Sequence, residues 1–159
     1  MPPSTHRLAS LCFLRSGQEW LLLERAKPPF VGQFLPVGGK IEAGEDPHLA
    51  ALREIQEETG LVLPQIQFMG LLIETSPGPY NWMGFIYQAE IPWQAPPACP
   101  EGRLVWMPQN QLFEMPCPEV DRYLYPYLFR NQKFVLRAQY NENIELLHLW
   151  EDLEEKQLK

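Results

Sequence analysis

What the chain lacks narrows it first. No run of apolar residues approaches the ~20 that a membrane-spanning helix needs, and the amino terminus carries no signal-peptide pattern. A cytoplasmic protein, without a membrane partner, is expected. Cysteine is scarce: Cys12, Cys99 and Cys117 are an odd number without C-x-x-C spacing, which gives neither a disulfide framework nor a zinc site. Positive charge is scarce too, with 13 Lys and Arg against 20 Asp and Glu and a net charge of −7. That argues against following a nucleic-acid polymer, which takes a basic surface. It does not argue against a small phosphate ligand, because a bound cation reverses the local field. Repeats and low-complexity linkers are absent, and 159 residues at 45% hydrophobic content can bury one sizeable core. We read 1–159 as a single domain with 151–159 as a charged tail.

What is present is concentrated between Gly39 and Leu61, GKIEAGEDPHLAALREIQEETGL. Asp46 is a good N-cap, Pro47 fits the first helical turn and Gly60 suits a left-handed C-cap, so the spacing predicts a helix over Pro47–Thr59. At about 100° per residue, Leu52, Ile55 and Thr59 share one face while Glu54, Glu57 and Glu58 share the other. Like charges three and four residues apart repel, so three such carboxylates call for an external partner. A hard divalent cation is one candidate. A solvated acidic face is the simpler reading of that run by itself.

The surrounding pattern reverses that preference. Gly39, Glu45, Arg53, Glu54, Ile55, Glu57, Glu58, Gly60 and Leu61 match, position for position, the G-x5-E-x7-R-E-U-x-E-E-x-G-U signature of the Nudix hydrolases, U being a bulky aliphatic. The chain is identified by this resemblance as a member of that family. The resemblance implies hydrolysis of a nucleoside diphosphate linked to another group, with Mg²⁺ or Mn²⁺ as cofactor. Under that carry-over Glu54, Glu57 and Glu58 are metal ligands, with the Gly38 carbonyl as a further one, and Arg53 and Glu45 brace the loop–helix–loop. A homodimer is also implied, since many relatives dimerise.

Before the motif, Met1 to Ser4 reads as a loose end, and Leu8 to Leu14 and Trp20 to Glu24 read as a hairpin around Arg15 to Gln18. Arg25 and Lys27 then lie in an irregular, proline-containing stretch. They are either phosphate partners or ordinary surface charges. Phe34 to Lys40 leads into the motif, and its glycine pair permits a close backbone approach. Val37-Gly38-Gly39-Lys40 resembles the subgroup of oxidised-purine nucleotide hydrolases, though Leu35 stands where some members have asparagine. Lys40 is a phosphate partner or a surface charge.

After the motif, Leu63 to Glu74 and Tyr80 to Ile91 read as two strands, the second dense in aromatics. Most of those rings belong in a core, but Phe34 and Trp82 are candidates to stack on a base. Pro92 to Glu101 reads as a loop without helix or strand, Leu104 to Pro108 as a strand and Gln109 to Phe113 as a short helix. Glu101 resembles the loop glutamate of MutT-like members that approaches the metals, or it is a turn residue. Glu119 to Asn131 reads as a helix, and Lys133 to Tyr140 and Ile144 to Trp150 as a hairpin. Pro118 to Asp121, Tyr125-Pro126 and Asn131 to Phe134 resemble the 8-oxo-dGTP diphosphatase branch. In that branch an acidic residue near this place reads the purine edge, here Asp121, with Glu119 as its neighbour.

The fold implied is α+β: the Nudix α/β/α sandwich, a mixed sheet with the motif loop–helix–loop on one face. The activity implied is that of a nucleoside triphosphate pyrophosphohydrolase, with Glu57 or Glu101 as the base and a nucleotide as the small-molecule partner. Hydrolysis of ADP-ribose or a dinucleoside polyphosphate stands as an alternative. A non-catalytic nucleotide sensor is an alternative of another class.

Overall fold

A computed structural model describes residues 5–159; the expected loose end, Met1 to Ser4, lies outside the described residues. The strands are β1 (Arg7–Ser16), β2 (Glu19–Arg25), β3 (Phe34–Leu35), β4 (Val37–Lys40), β5 (Gln67–Thr75), β6 (Trp82–Glu90), β7 (Ala98–Cys99), β8 (Gly102–Pro108), β9 (Phe134–Tyr140), β10 (Leu146–Glu151) and β11 (Lys156–Gln157). The helices are α1 (Pro47–Thr59) and α2 (Glu119–Phe129), and Gln109–Gln111 is a single 3-10 turn. One sheet runs in the order β11-β10-β9-β5-β6-β1-β2-β8-β7. It is mixed, with β1·β6 and β5·β9 parallel and the remaining pairs antiparallel.

Each face of the sheet has its own core. Phe13, Trp20, Leu72, Ile86, Phe134 and Leu136 pack under α2 through Val120, Leu124, Tyr125 and Leu128. Cys12, Leu14, Leu21, Val37 and Tyr87 pack under α1 through Ala51 and Ile55. The alternation of Cys12 and Phe13 to opposite faces is the period-two pleat of a strand buried on both sides. The result is the expected α/β/α sandwich.

The sheet forks where the site lies. On the side away from β6, β1 pairs with β2 only over Leu14 to Ser16, and over Ala9 to Cys12 it pairs instead with β4. Meanwhile β2 takes β3 at Leu23 and Glu24. β3 and β4 are therefore two halves of one segment, bent at Pro36 and wedged between diverging strands. This delivers Gly38 and Gly39 to the mouth of the split, facing α1.

The helix ends fall where local chemistry puts them. The Asp46 side chain accepts from the Leu49 N–H at 2.9 Å, and Gly60 closes the helix at φ 75° with its N–H on the Gln56 carbonyl. The buried stripe of α1 is not the one the helical wheel suggested: Ala50, Ala51, Ile55, Glu58 and Thr59 are inside, while Leu52 is only half-buried. The glycine pair leaves room above this flank, so the sheet draws in the Glu58 side of the helix.

Three other expectations change. β5 begins at Gln67 rather than Leu63, because Leu61 to Ile66 runs as a rim connection through Pro64. Within the Pro92 to Glu101 loop, Ala98 and Cys99 do form a short strand against Arg103 and Gly102. The expected charged tail 151–159 folds back: Lys156 and Gln157 pair with Glu151 and Trp150, and Glu151 is fully buried. Its Oε1 accepts from the Val135 and Leu153 N–H groups at 3.2 and 2.9 Å, and its Oε2 from Glu154 N–H at 2.6 Å. A buried carboxylate is stable where backbone donors surround it.

Candidate active site

Arg53 organises the motif. Its guanidinium takes both oxygens of Glu45, Nε to Oε1 at 2.7 Å and Nη2 to Oε2 at 3.0 Å, and Nη2 also reaches the Lys40 carbonyl at 3.1 Å. Through Nη1 it bonds Glu54 at 2.9 Å and Glu57 at 3.3 Å. Glu45 in turn accepts from the Glu42 N–H at 3.0 Å, which closes the loop ahead of the helix. The Arg53 hydrogen bonds hold the Glu45 carboxyl down at about 2. A planar fork that serves five acceptors on three segments is a task lysine cannot perform.

Glu58 sits on the opposite flank of α1, 5% exposed, with Oε2 accepting from the Gly38 N–H at 2.9 Å. Burial pushes its pKa up to about 8, against the Gly38 hydrogen bond; the charges of Glu54 and Glu101 add to the rise and that of Arg25 opposes it. Burial also raises Glu54, against Arg53. Gly38 has φ 151°, and a Cβ there would lie 2.2 Å from the Ser10 carbonyl oxygen; at Gly39 a Cβ would meet Glu54 Oε1 at 2.5 Å. Glycine lets this backbone lie close against β1 at position 38 and against the Glu54 carboxylate at position 39.

The three motif glutamates do not converge as side chains. Among the described residues no three acidic, histidine or cysteine groups are gathered tightly enough to ligate one ion. Arg53 draws Glu54 and Glu57 to one side while Gly38 draws Glu58 to the other. The donor set still fits a divalent cation of the Mg²⁺ or Mn²⁺ kind. It is made of hard oxygens only, and Glu58 is buried against like charge with no basic side chain among the described residues bonded to it.

The structure brings other predicted residues to this place. Glu101, from the turn between β7 and β8, is near enough for its charge to raise Glu58. Cys99 stands beside the same pair, its sulfur accepting from the Glu101 and Gly102 N–H groups. Arg25 also reaches Glu58 with its field, but its guanidinium is tied into its own loop, with Nε on the Lys27 and Pro29 carbonyls at 3.3 and 2.9 Å. Lys27 and Lys40 are exposed at the two sides of the fork.

The predicted base-side residues divide. Phe34 is half-buried against the α2 core, and Trp82 is half-buried under the Arg7 guanidinium at 5.7 Å. Asp121 is inside, 7% exposed, whereas Glu119 faces outward and pairs with Lys159. The sequence reading missed Glu74, a second buried carboxyl, whose charge reaches Asp121. It is 8% exposed and receives the Tyr140 hydroxyl at 2.6 Å and the Tyr80 hydroxyl at 3.5 Å. The one available signal was a charged residue in an apolar strand, Leu71-Leu72-Ile73-Glu74. Phe30 rests edge-on against Tyr80, so the segment from Arg25 to Phe30 bears on both clusters, Arg25 by its charge on Glu58 and Phe30 by its ring on Tyr80. A cavity of about 590 Å³ lined by Arg15, Leu63, Ile66, Gln67, Gln88 and Glu90 lies at the other end of β1 and includes none of these groups.

Comparison with known proteins bears on this geometry. The NUDIX domain model matches residues 5–128. An uncharacterised Nudix hydrolase, YvcI of Bacillus subtilis, is 28% identical over 126 residues, covering 76% of this chain and 78% of that protein. The oxidized purine nucleoside triphosphate hydrolase of Mus musculus is 29% identical over 135 residues, covering 82% of this chain and 85% of that protein. An ADP-ribose pyrophosphatase of Saccharomyces cerevisiae is 41% identical over 68 residues, but these span only 42% of this chain and 26% of that protein. The crystal structure of a MutT protein from Bacillus halodurans superposes with a TM-score of 0.81 at 24% identity, covering 92% of this chain and 98% of that one.

Proposed function

The chain belongs to the Nudix hydrolase family, and on that premise we propose that it is a Mg²⁺-dependent pyrophosphohydrolase of purine nucleoside triphosphates, oxidised ones such as 8-oxo-dGTP among them. The observation that carries the hydrolytic part is that Glu54 and Glu58 of α1 flank the glycine pair, with Glu101 of the β7–β8 turn near enough to add its charge. These are acidic groups with too little internal compensation. The likeness to the mouse hydrolase along most of both chains supports the oxidised-purine part.

Glu54, Glu57 and Glu58, with the Gly38 carbonyl, would hold the cation, Mg²⁺ or Mn²⁺. When bound, such an ion supplies charge neutralisation on the phosphates and lowers the pKa of water. Arg53 and Glu45 keep the loop and helix in register. Glu57 or Glu101 accepts the proton of the attacking water, each being partly exposed and so able to pass it to solvent. Lys27, Lys40 and Arg25 meet the phosphates as they enter the fork. Phe34 and Trp82 offer ring faces to the base and Asp121 its carboxyl. Water attack at the inner phosphoanhydride gives a nucleoside monophosphate and pyrophosphate. The two cores on one continuous sheet support 1–159 as one domain. The three unpaired cysteines support a reducing compartment such as the cytoplasm, and no helix of the described residues is long and apolar enough to cross a membrane.

Phosphate and pyrophosphate release with Mg²⁺ tests the proposal, over a panel of 8-oxo-dGTP, the ordinary triphosphates, ADP-ribose, NADH and a dinucleoside tetraphosphate. 8-Oxo-dGTP leading in kcat/KM with pyrophosphate as product is the expected result. ADP-ribose leading would favour the second reading, to which the short stretch shared with the yeast enzyme points. Tight nucleotide binding without turnover would make the chain a sensor.

A further inference from the structure

The face of the sheet that carries α1 is only partly covered. α1 lies chiefly over β1, β4 and β7, and among the described residues no other helix packs on this side. β6, β5 and β9 continue beyond it and still turn apolar side chains the same way as the core beneath α1. Phe85, Leu71 and Val135 are direct cross-strand neighbours, Met83 and Ile73 form the next row, and Phe68 rests on Tyr87 with ring centroids 5.6 Å apart. None of these six is buried. A sheet face meant for water carries polar side chains. This one keeps an apolar floor with no element of the described chain to close it.

α1 borders this floor with an apolar flank of its own. His48 meets the Tyr87 ring edge-on at 5.9 Å, which sets the flank nearest the floor, and at about 100° per residue Leu52 lies close to the line of His48, with Leu49 just outside it. Leu49 is 54% exposed. Glu54 and Glu57, drawn to Arg53, lie on the other side of the helix. The molecule thus carries a raised apolar edge beside a flat apolar floor. Two copies related by a two-fold axis need that combination, because each then presents the part the other lacks. The margins agree in charge. Asp46 caps α1 on one side of the floor, and Lys133 stands on the other with its Nζ over the Phe68 ring at 5.8 Å; Arg137 is already paired with Asp152. A two-fold axis along the strands brings the Asp46 margin of each copy to the Lys133 margin of the other.

We propose that this surface is the interface of a homodimer, in which the Leu49 and Leu52 flank of α1 from one copy packs on the β6–β5–β9 floor of the other. The spacing fits. Strands lie about 4.8 Å apart and packed helices about 8–10 Å apart, so a helix laid beside α1 covers two further strands. The floor is on the order of 400 Å², the size of patch that a monomer seldom leaves without a use. With the helix flank of both copies included, the contact buries on the order of 1,200 Å² in total, the lower end for a specific interface. Dilution therefore dissociates the dimer. Glu54 and Glu57 stay outside the contact, so the inference stands apart from the choice of nucleotide at the site.

Sedimentation velocity of the full chain from about 1 to about 300 µM is the test. The mass should rise reversibly from that of one chain to that of two and go no higher, because a two-fold contact closes on itself. Leu49→Glu should weaken the association about tenfold or more, since one substitution places two carboxylates in the contact. The fold tolerates it: Leu49 is exposed, and an acidic side chain in the first turn suits the helix dipole. Val135→Lys puts a charge on the floor and should act alike, with circular dichroism at the lowest concentration showing both variants folded. Trp93→Ser removes an equally exposed ring, stacked on Trp106 of β8 at the opposite edge of the sheet, and should leave the association unchanged. A wild-type chain that stays monomeric to about 300 µM overturns the inference. So does a dimer that survives both Leu49→Glu and Val135→Lys, a dimer that Trp93→Ser dissolves, or a mass that grows past two chains.

Discussion

Two acidic clusters lie on opposite sides of the forked sheet, and they answer the same problem differently. On the α1 side, Glu45, Glu54, Glu57 and Glu58 are met by a five-bond arginine and a backbone N–H beside two glycines. On the α2 side, Glu74 is met by two phenols, and among the described residues no cation is bonded to Glu74 or Asp121. The first arrangement keeps carboxylates available to a cation by fixing the frame around them. The second leaves Glu74 only hydroxyl donors for company, and burial raises both of its carboxyls. Burial costs charge in both, and what differs is the kind of ligand that can repay it.

The largest expected effect would break the first half of this contrast. Glu58→Gln should lower kcat/KM about a thousandfold, the upper range for one electrostatic group. It should leave the melting temperature unlowered, since a neutral isostere replaces a buried carboxyl. Near-normal turnover would show that α1 is an acidic face without a catalytic role.

The second effect sharpens the other half. Burial lifts Glu74 from the ordinary 4.5 to about 7. Between those values the folded chain holds a proton that the unfolded chain has released, so stability falls as pH rises through this window. At about 1.4 kcal/mol per pH unit the loss is at most ~3 kcal/mol. Urea melts of wild type and Glu74→Gln at about pH 5 and about pH 7.5 should diverge only at the higher value, with the variant the more stable. Parallel behaviour would mean that Tyr140 and Tyr80 fully compensate the charge.

Arg53→Lys should cost about tenfold in kcat/KM, within the range for groups that orient ligands. A single ammonium cannot take both Glu45 oxygens and still reach Glu54, Glu57 and the Lys40 carbonyl. Proteolysis across 40–46 should rise in parallel, because the loop loses its brace.

The same contrast explains what the sequence disclosed. α1 and its glutamates were legible because their determinants are contiguous: Asp46, Pro47 and Gly60 cap the helix, and Arg53 with Glu45 lies eight residues apart. Glu101 was reachable only through resemblance, and it does arrive beside Glu58. Glu74 was not legible, because the partner that stabilises it, Tyr140, is 66 residues away and joins it through the parallel β5·β9 pairing. The tail misled for a similar reason. Its charges read as solvent-facing, yet Glu151 is buried by backbone donors that only the folded β9–β11 region assembles. Leu52 and Glu58 exchanged roles because the glycine-lined fork, not helix periodicity, chose the buried flank.

The smallest effect probes the helix that carries Asp121. Glu119 lies two positions earlier on α2, was paired with Asp121 by sequence likeness, and differs from it only in direction: it is exposed and bonded to Lys159. An exposed ion pair of this kind contributes ~0.5 kcal/mol or less, and salt screens it. Glu119→Ala should therefore lower stability by no more than that in low salt and by nothing measurable at about 1 M salt. The ratio of kcat/KM for 8-oxo-dGTP over dATP should stay at the wild-type value. A changed ratio would mean that the amino-terminal turn of α2 presents Glu119 to the base. The acidic group that reads the base would then sit at the surface, and the contrast between an arginine-braced cluster on α1 and a buried one on the α2 side would fail at its second member.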